Sequence, residues 1–151
     1  MNIFKKWLKN TVASSNPTNN QIDYGSTWEP SLAVAIKDTP NILQKISEFI
    51  NIKLANPMAP FGTNDKPFLN DGIYKKYLPK GLKAHLNRDI SIVYELSGRN
   101  PTVIKLYGVF THAALGTGSP PSIKTQKNMA KHLSRSFNEG LETFLLKLLQ
   151  E

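Results

Sequence analysis

The sequence predicts an α+β fold in which a mostly antiparallel sheet packs against an N-terminal helix, with an added C-terminal helical tail. Three observations predict it. In NILQKISEFINIKLANP, Ile42, Leu43, Ile46, Phe49, Ile50 and Leu54 recur at spacings of three and four, the period of an amphipathic helix. From Leu82 to Val109 apolar residues alternate or run on, interrupted by Ser97-Gly-Arg-Asn-Pro101, which is the pattern of strands joined by a tight turn. From Lys127 to Gln150 the helical period returns, with Met129, Leu133, Phe137 and Leu141 four apart. A helix followed by consecutive strands places that helix on one face of a sheet.

Each element has its own justification. Ile3, Phe4, Trp7 and Leu8 stand opposite Lys5, Lys6 and Lys9, a short basic helix that docks on the protein's own core, because two turns bury too little to anchor on a membrane. Ser14 to Asn20 reads as a linker. Ile22–Trp28 and Leu32–Ile36 each fit a short strand, with Glu29-Pro30 between them. Asp38-Thr39-Pro40 starts the helix. Lys45, Glu48 and Lys53 fall on its other faces, and it ends near Asn56-Pro57. Met58 to Asp71 is a loop rich in Pro, Gly and Asn. Leu82, Ala84 and Leu86 then alternate with Lys83, His85 and Asn87, a half-buried strand with Lys83 and His85 on its polar face. Asp89 to Leu96 is the next strand, with Ile90, Ile92, Tyr94 and Leu96 on one side. Val103 to Val109 is nearly continuous in apolar character, as an interior strand is. Gly116-Thr-Gly-Ser-Pro-Pro turns the chain into the tail, which is basic in its first half, apolar in its second, and interrupted by Gly140. That tail either covers the core or offers a face to a partner.

With 151 residues, 40% of them hydrophobic, the chain is long enough for one compact domain. It divides into an N-terminal extension (1–30), a central α+β unit (31–118) and a C-terminal helical extension (119–151) packed on the same domain. Without cysteine, neither a disulfide framework nor a thiolate zinc site is available. No apolar run approaches the roughly 18 residues that span a bilayer, and the N-terminus is too short and charged for a signal peptide, so a cytoplasmic protein without membrane association is expected. The net charge of +8 is unevenly spread: Gly72 to Asn138 holds eleven basic residues and two acidic ones, Asp89 and Glu95. The surplus sits in the histidine-bearing half, the footprint of a nucleic-acid site, the other reading being an acidic protein partner.

Two of the three histidines flank the predicted hairpin, His85 with Asp89 four residues on, and His112 after Thr111. No His-x-x-x-His spacing occurs, so no metal is assigned, and Gly116-Thr-Gly118 lacks the Lys-Ser/Thr ending of a phosphate loop. No cofactor is implied. Imidazole, carboxylate and lysines on a basic sheet are the types that cleave RNA without a metal: a base for the 2′-hydroxyl, an acid for the departing 5′-oxygen, and cations for the phosphate.

The segments Lys80-Gly-Leu-Lys-Ala-His-Leu-Asn-Arg-Asp-Ile-Ser-Ile-Val-Tyr-Glu-Leu and Thr111-His-Ala-Ala-Leu-Gly resemble the closing half of the RelE/YafQ family of toxin endoribonucleases. The resemblance covers about residues 40 to 116 and is concentrated in 80 to 116. It implies a RelE-like fold and a metal-independent mRNA interferase that acts at the ribosome and is held inactive by an antitoxin. His85 and His112 would be the general acid and base, and Asp89 the carboxylate that positions or tunes one of them. Lys83 and Lys105 would contact phosphate; apart from the resemblance, Arg99, Lys75, Lys76 and Lys80 of the same basic stretch are further candidate substrate contacts. Asp65-Lys66-Pro67-Phe68 is similar to the family's Asp-His-Pro-Leu, which puts Lys66 at the position of a further histidine. Three positions depart from the pattern: Gly108 replaces a phosphate-binding arginine, Ile90 a tryptophan and Gly116 a phenylalanine. A second expectation follows from these, a RelE-like module that binds RNA, the ribosome or an acidic protein without cutting.

Overall fold

The structure, a computed structural model, describes residues 19–61, 66–67, 72–137 and 149. The basic helix expected at Ile3–Leu8, most of the Ser14–Asn20 linker, and the second half of the tail with its Gly140 break lie outside the described residues. In chain order the elements are β1 (Gln21–Tyr24), α1 (Trp28–Asp38), α2 (Ile42–Ala55), β2 (Lys66–Pro67), α3 (Gly72–Tyr77), β3 (Leu82–His85), β4 (Ile90–Ser97), β5 (Val103–Thr111), α4 (His112–Leu115) and α5 (Ile123–Ser134). The strands form one sheet in the order β1-β5-β4-β3-β2. β1 runs parallel to β5, and every other pair is antiparallel. The sheet is therefore mixed but mostly antiparallel, and β5 is interior as its apolar run predicts.

Helices cover both faces. On one face α1 and α2 bury Trp28, Leu32, Ile42, Ile46, Phe49, Ile50 and Leu54 against Ile90, Ile92, Tyr94, Ile104, Leu106 and Val109. On the other, Tyr74 and Leu78 from and just after α3, and Ala130 and Leu133 from α5, enclose Val93, Tyr107 and Leu115. The two faces of β4 divide as the alternation predicts, with Ile92 and Tyr94 on one and Val93 on the other. On β5 the alternation breaks: Val93 pairs with Gly108 but Tyr94 with Leu106. Tyr107 is thus an extra residue, a bulge that turns its side chain to the α5 face while Leu106 and Val109 keep theirs on the α1 face.

Four expectations change. Leu32–Ile36 is helix, not strand: Trp28, Leu32 and Ala35 bury one stripe of α1 at spacings of four and three, and that stripe outweighs the local β-branched content. Asp38 ends α1, and α2 starts at Ile42 behind Asn41. Within the Met58–Asp71 loop, Lys66–Pro67 adds a short edge strand to β3. Lys53 is not on an outer face of α2 but 1% exposed, because it lies four residues beyond Phe49 on the buried stripe. Its ammonium donates to the Ala59 carbonyl at 2.6 Å and stands over the Phe49 and Tyr94 rings, so the stem is buried and the charge is held by a carbonyl and two π faces.

Candidate active site

The site lies at the end of the sheet where β3 turns into β4 and β5 runs into α4. The β3–β4 connection is short because Asn87 organises it: its Oδ1 accepts from the Asp89 and Ile90 amides at 2.8 and 2.7 Å, and the Leu86 amide donates to the Ile90 carbonyl at 2.8 Å. This turn sets His85 opposite Ser91, and Ser91 opposite Phe110 on β5. Beyond β5, Thr111 caps α4 by accepting the Ala114 amide at 3.1 Å, and the His112 amide donates to the Asp89 carbonyl at 3.1 Å. The consequence is that residues 85 and 112 meet. Their imidazole centroids are 5.2 Å apart with the rings at 76°, edge to face.

Each ring has a distinct environment. His85 Nδ1 lies 3.1 Å from Ser91 Oγ, a side chain that is fully buried, so one nitrogen of His85 is fixed from inside the sheet. His112 Nε2 is buried and has no hydrogen-bond partner among the described residues. An unpaired buried ring nitrogen loses its hydration without a replacement, and in a native fold such a group calls for a functional explanation.

The other sequence candidates divide into near and far. Lys83 is two residues before His85 on β3, hence on the same face of the sheet. Lys66 stands opposite Lys83 in the register of β2 and β3. Lys75 and Lys76 lie on α3, and Lys80 in the link to β3, all exposed. α3 is tied to the histidine end because the Tyr74 hydroxyl donates to the Leu115 carbonyl at 2.5 Å. Asp89 joins the site through its main chain. Its side chain has no hydrogen bond or ion pair to either imidazole among the described residues, and Asp89 lines a cleft of about 360 Å³ with Val34, Asp38, Phe110 and Met129.

Lys105 and Arg99 do not belong to this end. Lys105 precedes Thr111 by six residues of extended strand, about 20 Å at 3.3 Å per residue, and its ammonium stands over the Phe137 ring at 5.3 Å. Arg99 lies in the β4–β5 turn at the opposite end of the sheet. Sequence reasoning also missed Ser91 and α3. Ser91 was legible as a polar residue inside an apolar strand, and α3 as Tyr74 and Leu78 at a spacing of four.

Two of the three positions at which the sequence resemblance breaks are closely packed. A Cβ at Gly108 would lie 2.5 Å from the Phe110 ring and 2.8 Å from Ser31 Oγ. Gly116 has φ +75°, and a Cβ there would meet the Ser122 carbonyl and Gln126 within 2.8 Å. No group of three or more His, Asp or Glu side chains among the described residues is placed to hold a metal ion. No helix among them is long and apolar enough to cross a membrane.

No protein-family model and no curated protein matches the sequence. Solved structures are similar to it in fold. A chain of the Escherichia coli DinJ-YafQ complex aligns with a TM-score of 0.51 at 18% identity, over 64% of this chain and 98% of that one. A second structure, of the E. coli DinJ-YafQ toxin-antitoxin complex, gives a TM-score of 0.51 at 18% identity, over 64% and 96%. Almost the whole of each matched chain is thus accounted for, while about a third of the present chain lies outside the likeness. The protein has the RelE/YafQ-like toxin fold.

Proposed function

We propose that the protein is a metal-independent endoribonuclease, an mRNA interferase-like toxin that cuts RNA at the ribosome. The observation that carries this is the edge-to-face pair of His85 and His112 at 5.2 Å, two imidazoles brought from opposite ends of a hairpin to one spot on a basic sheet. In the reaction one imidazole, neutral, takes the proton of the 2′-hydroxyl as its oxygen attacks phosphorus. The bond from phosphorus to the 5′-oxygen breaks, and the other imidazole, protonated, gives its proton to that oxygen. The products are a 2′,3′-cyclic phosphate and a 5′-hydroxyl, with no water consumed. Acid and base must reach one phosphate for this, and two imidazoles gathered at one end of the sheet support that reading. Lys83 on β3, with Lys75, Lys76 and Lys80 from the helix and link that precede it, offsets the phosphate charge. Ribosome-bound mRNA as the substrate and a cognate antitoxin as the partner are further parts of the same reading, supported by the fold and by the toxin-antitoxin assembly of the E. coli neighbour.

The test is cleavage of a model mRNA, free and on translating ribosomes, in the presence of a chelator. Wild type should cut and leave cyclic phosphate ends, and His85→Ala and His112→Ala should each lose about 100-fold or more in rate while keeping the wild-type circular dichroism spectrum. Intact RNA in every reaction would overturn the enzyme. It would favour instead a RelE-like module that binds RNA, ribosome or an acidic partner without cutting, a reading to which Gly108 lends weight because it offers no side chain to a phosphate.

A further inference from the structure

Helix α5 lies beyond the stretch that carries the sequence resemblance, and its two faces are unlike. Gln126, Ala130 and Leu133 are buried, while Lys124, Lys127, Lys131 and Arg135 are all exposed. Those four follow one another at spacings of three, four and four, so they occupy an arc of about 80° and run for about 16 Å along the axis. None of their side chains has a hydrogen bond or ion pair among the described residues; the contacts of Lys131 and Arg135 there are those of the main chain. No acidic residue lies between Pro120 and Arg135.

Such a row is unfavourable to the helix itself. Like charges three or four apart repel, and Lys124 stands in the first turn, where the helix dipole favours an anion. The helix is nevertheless held firmly, by the Ser122 side chain accepting the Thr125 amide and by the buried side chains beneath it. A rigid, self-repelling line of cations is relieved by a line of anions. We propose that α5 is a second nucleic-acid contact of this protein, a rail for the phosphate backbone of double-stranded RNA. The inference rests on the RNA reading of the site and extends it to an element outside that site.

The chemistry of the face selects the partner. A protein-binding patch has an apolar or aromatic centre and few lysines, whereas the middle of this stripe presents only cations, Asn128 and His132. Platforms for single strands stack bases on aromatic rings, and the exposed face of α5 carries no Phe, Tyr or Trp. Contacts to backbone alone are how duplex RNA is held, by shape and phosphate and not by sequence. α3, packed against α5, adds the exposed Lys75 and Lys76.

The test measures binding of the full-length protein to a blunt RNA duplex of about 16 base pairs, using Lys124→Gln, Lys127→Gln, Lys131→Gln and Arg135→Gln combined, since Gln keeps helix propensity. The quadruple variant should bind about 100-fold more weakly at low salt, and the slope of log affinity against log salt should shrink by about 3. Lys37→Gln with Lys45→Gln, on α1 and α2, should change neither. Wild-type affinity and slope in the quadruple variant would overturn the rail. So would equal affinity of the wild type for poly-glutamate, which would mark a protein-docking face, or tighter binding to the unpaired strand. The two readings fail separately: a quadruple variant that cuts at saturating RNA yet binds duplex normally removes the rail and leaves the nuclease, and wild type that binds duplex through the stripe but cuts nothing does the reverse.

Discussion

Gly108 and Gly116, two of the three positions at which the sequence resemblance breaks, are each the seat of a packed helix. At Gly108 the α1 residue Ser31 donates its hydroxyl proton to the Trp28 carbonyl and accepts the Val109 amide at 3.0 Å, so strand and helix meet with no room for a Cβ. At Gly116 the carbonyl accepts both the Ser122 amide and Gln126 Nε2, which docks the start of α5. Gly108→Ala is expected to cost about 1–3 kcal/mol, the range for overpacking a filled site, read from the midpoint of a urea transition. An unchanged midpoint would mean that α1 can step aside, and that an arginine there is not excluded by packing. At this scale the sequence resemblance named the two imidazoles that the structure brings together, and a four-residue turn and the strand ends fix their meeting. It could not disclose that Asp89 would contribute its carbonyl, or that Lys105 and Arg99 would lie at the far end. Those outcomes depend on where each strand begins and which way a turn residue points, and composition carries neither.

The bulge on β5 is the element that gives the second face its core. By adding Tyr107 it aims a tyrosine at α5, where the ring packs edge to face on Phe137 at 5.1 Å and the hydroxyl donates to Glu95 Oε1 at 3.3 Å. Burial pushes the Tyr107 phenol well above its usual range, and the Glu95 carboxylate pushes it the same way through its charge and its acceptance of that hydrogen bond. Burial raises Tyr24 as well. The phenols of the unfolded chain titrate near pH 10, and those of the folded protein later. Above about pH 10 the folded state therefore holds more protons than the unfolded one, so stability is complete below that pH and falls as pH rises beyond it. Tyr107→Phe should make the fall in urea midpoint between about pH 10 and 11 shallower, leaving the contribution of Tyr24. An unaltered slope would show that the raised Tyr107 phenol is not what couples stability to alkali. Alternation and turn chemistry made β3, β4 and β5 legible, whereas the bulge left no mark in a run that is apolar on both faces. α1 was misread for a related reason: Leu32, Ala33, Val34, Ala35 and Ile36 form a short apolar run, and such a run cannot be assigned to strand or helix without the partner it packs on.

Across the whole molecule, the segment that reads as an appendage is keyed into the opposite end of the chain. The Ser136 carbonyl accepts the Ser26 amide at 2.8 Å, and Ser136 Oγ pairs with Thr27 Oγ1 at 2.7 Å, which in turn donates to the Tyr107 carbonyl at 2.5 Å. A Cβ on Gly25 would sit 1.9 Å from Ser136 Oγ, so the β1–α1 turn closes directly onto the end of α5. Together with the full burial of Ala130 and Leu133, this makes α5 the floor of the second core. The E. coli structures that share the fold match only 64% of the chain. Two outcomes are therefore distinct for a chain truncated before Ser119. If α5 merely decorates the toxin fold, the remainder stays a folded monomer with a cooperative transition. The burial predicts the opposite: Val93, Tyr107 and Leu115 would keep Tyr74 and Leu78 but lose the cover of Ala130 and Leu133, and the truncated chain should aggregate or lose its cooperative transition, as judged by light scattering and near-ultraviolet circular dichroism. Leu133→Ala gives the graded version, an expected loss of about 2–5 kcal/mol, as for other buried leucines. A truncated chain that remains monomeric and melts cooperatively would show that the sheet's second face does not need its helix, and α5 would then have been added for its outer, basic side alone.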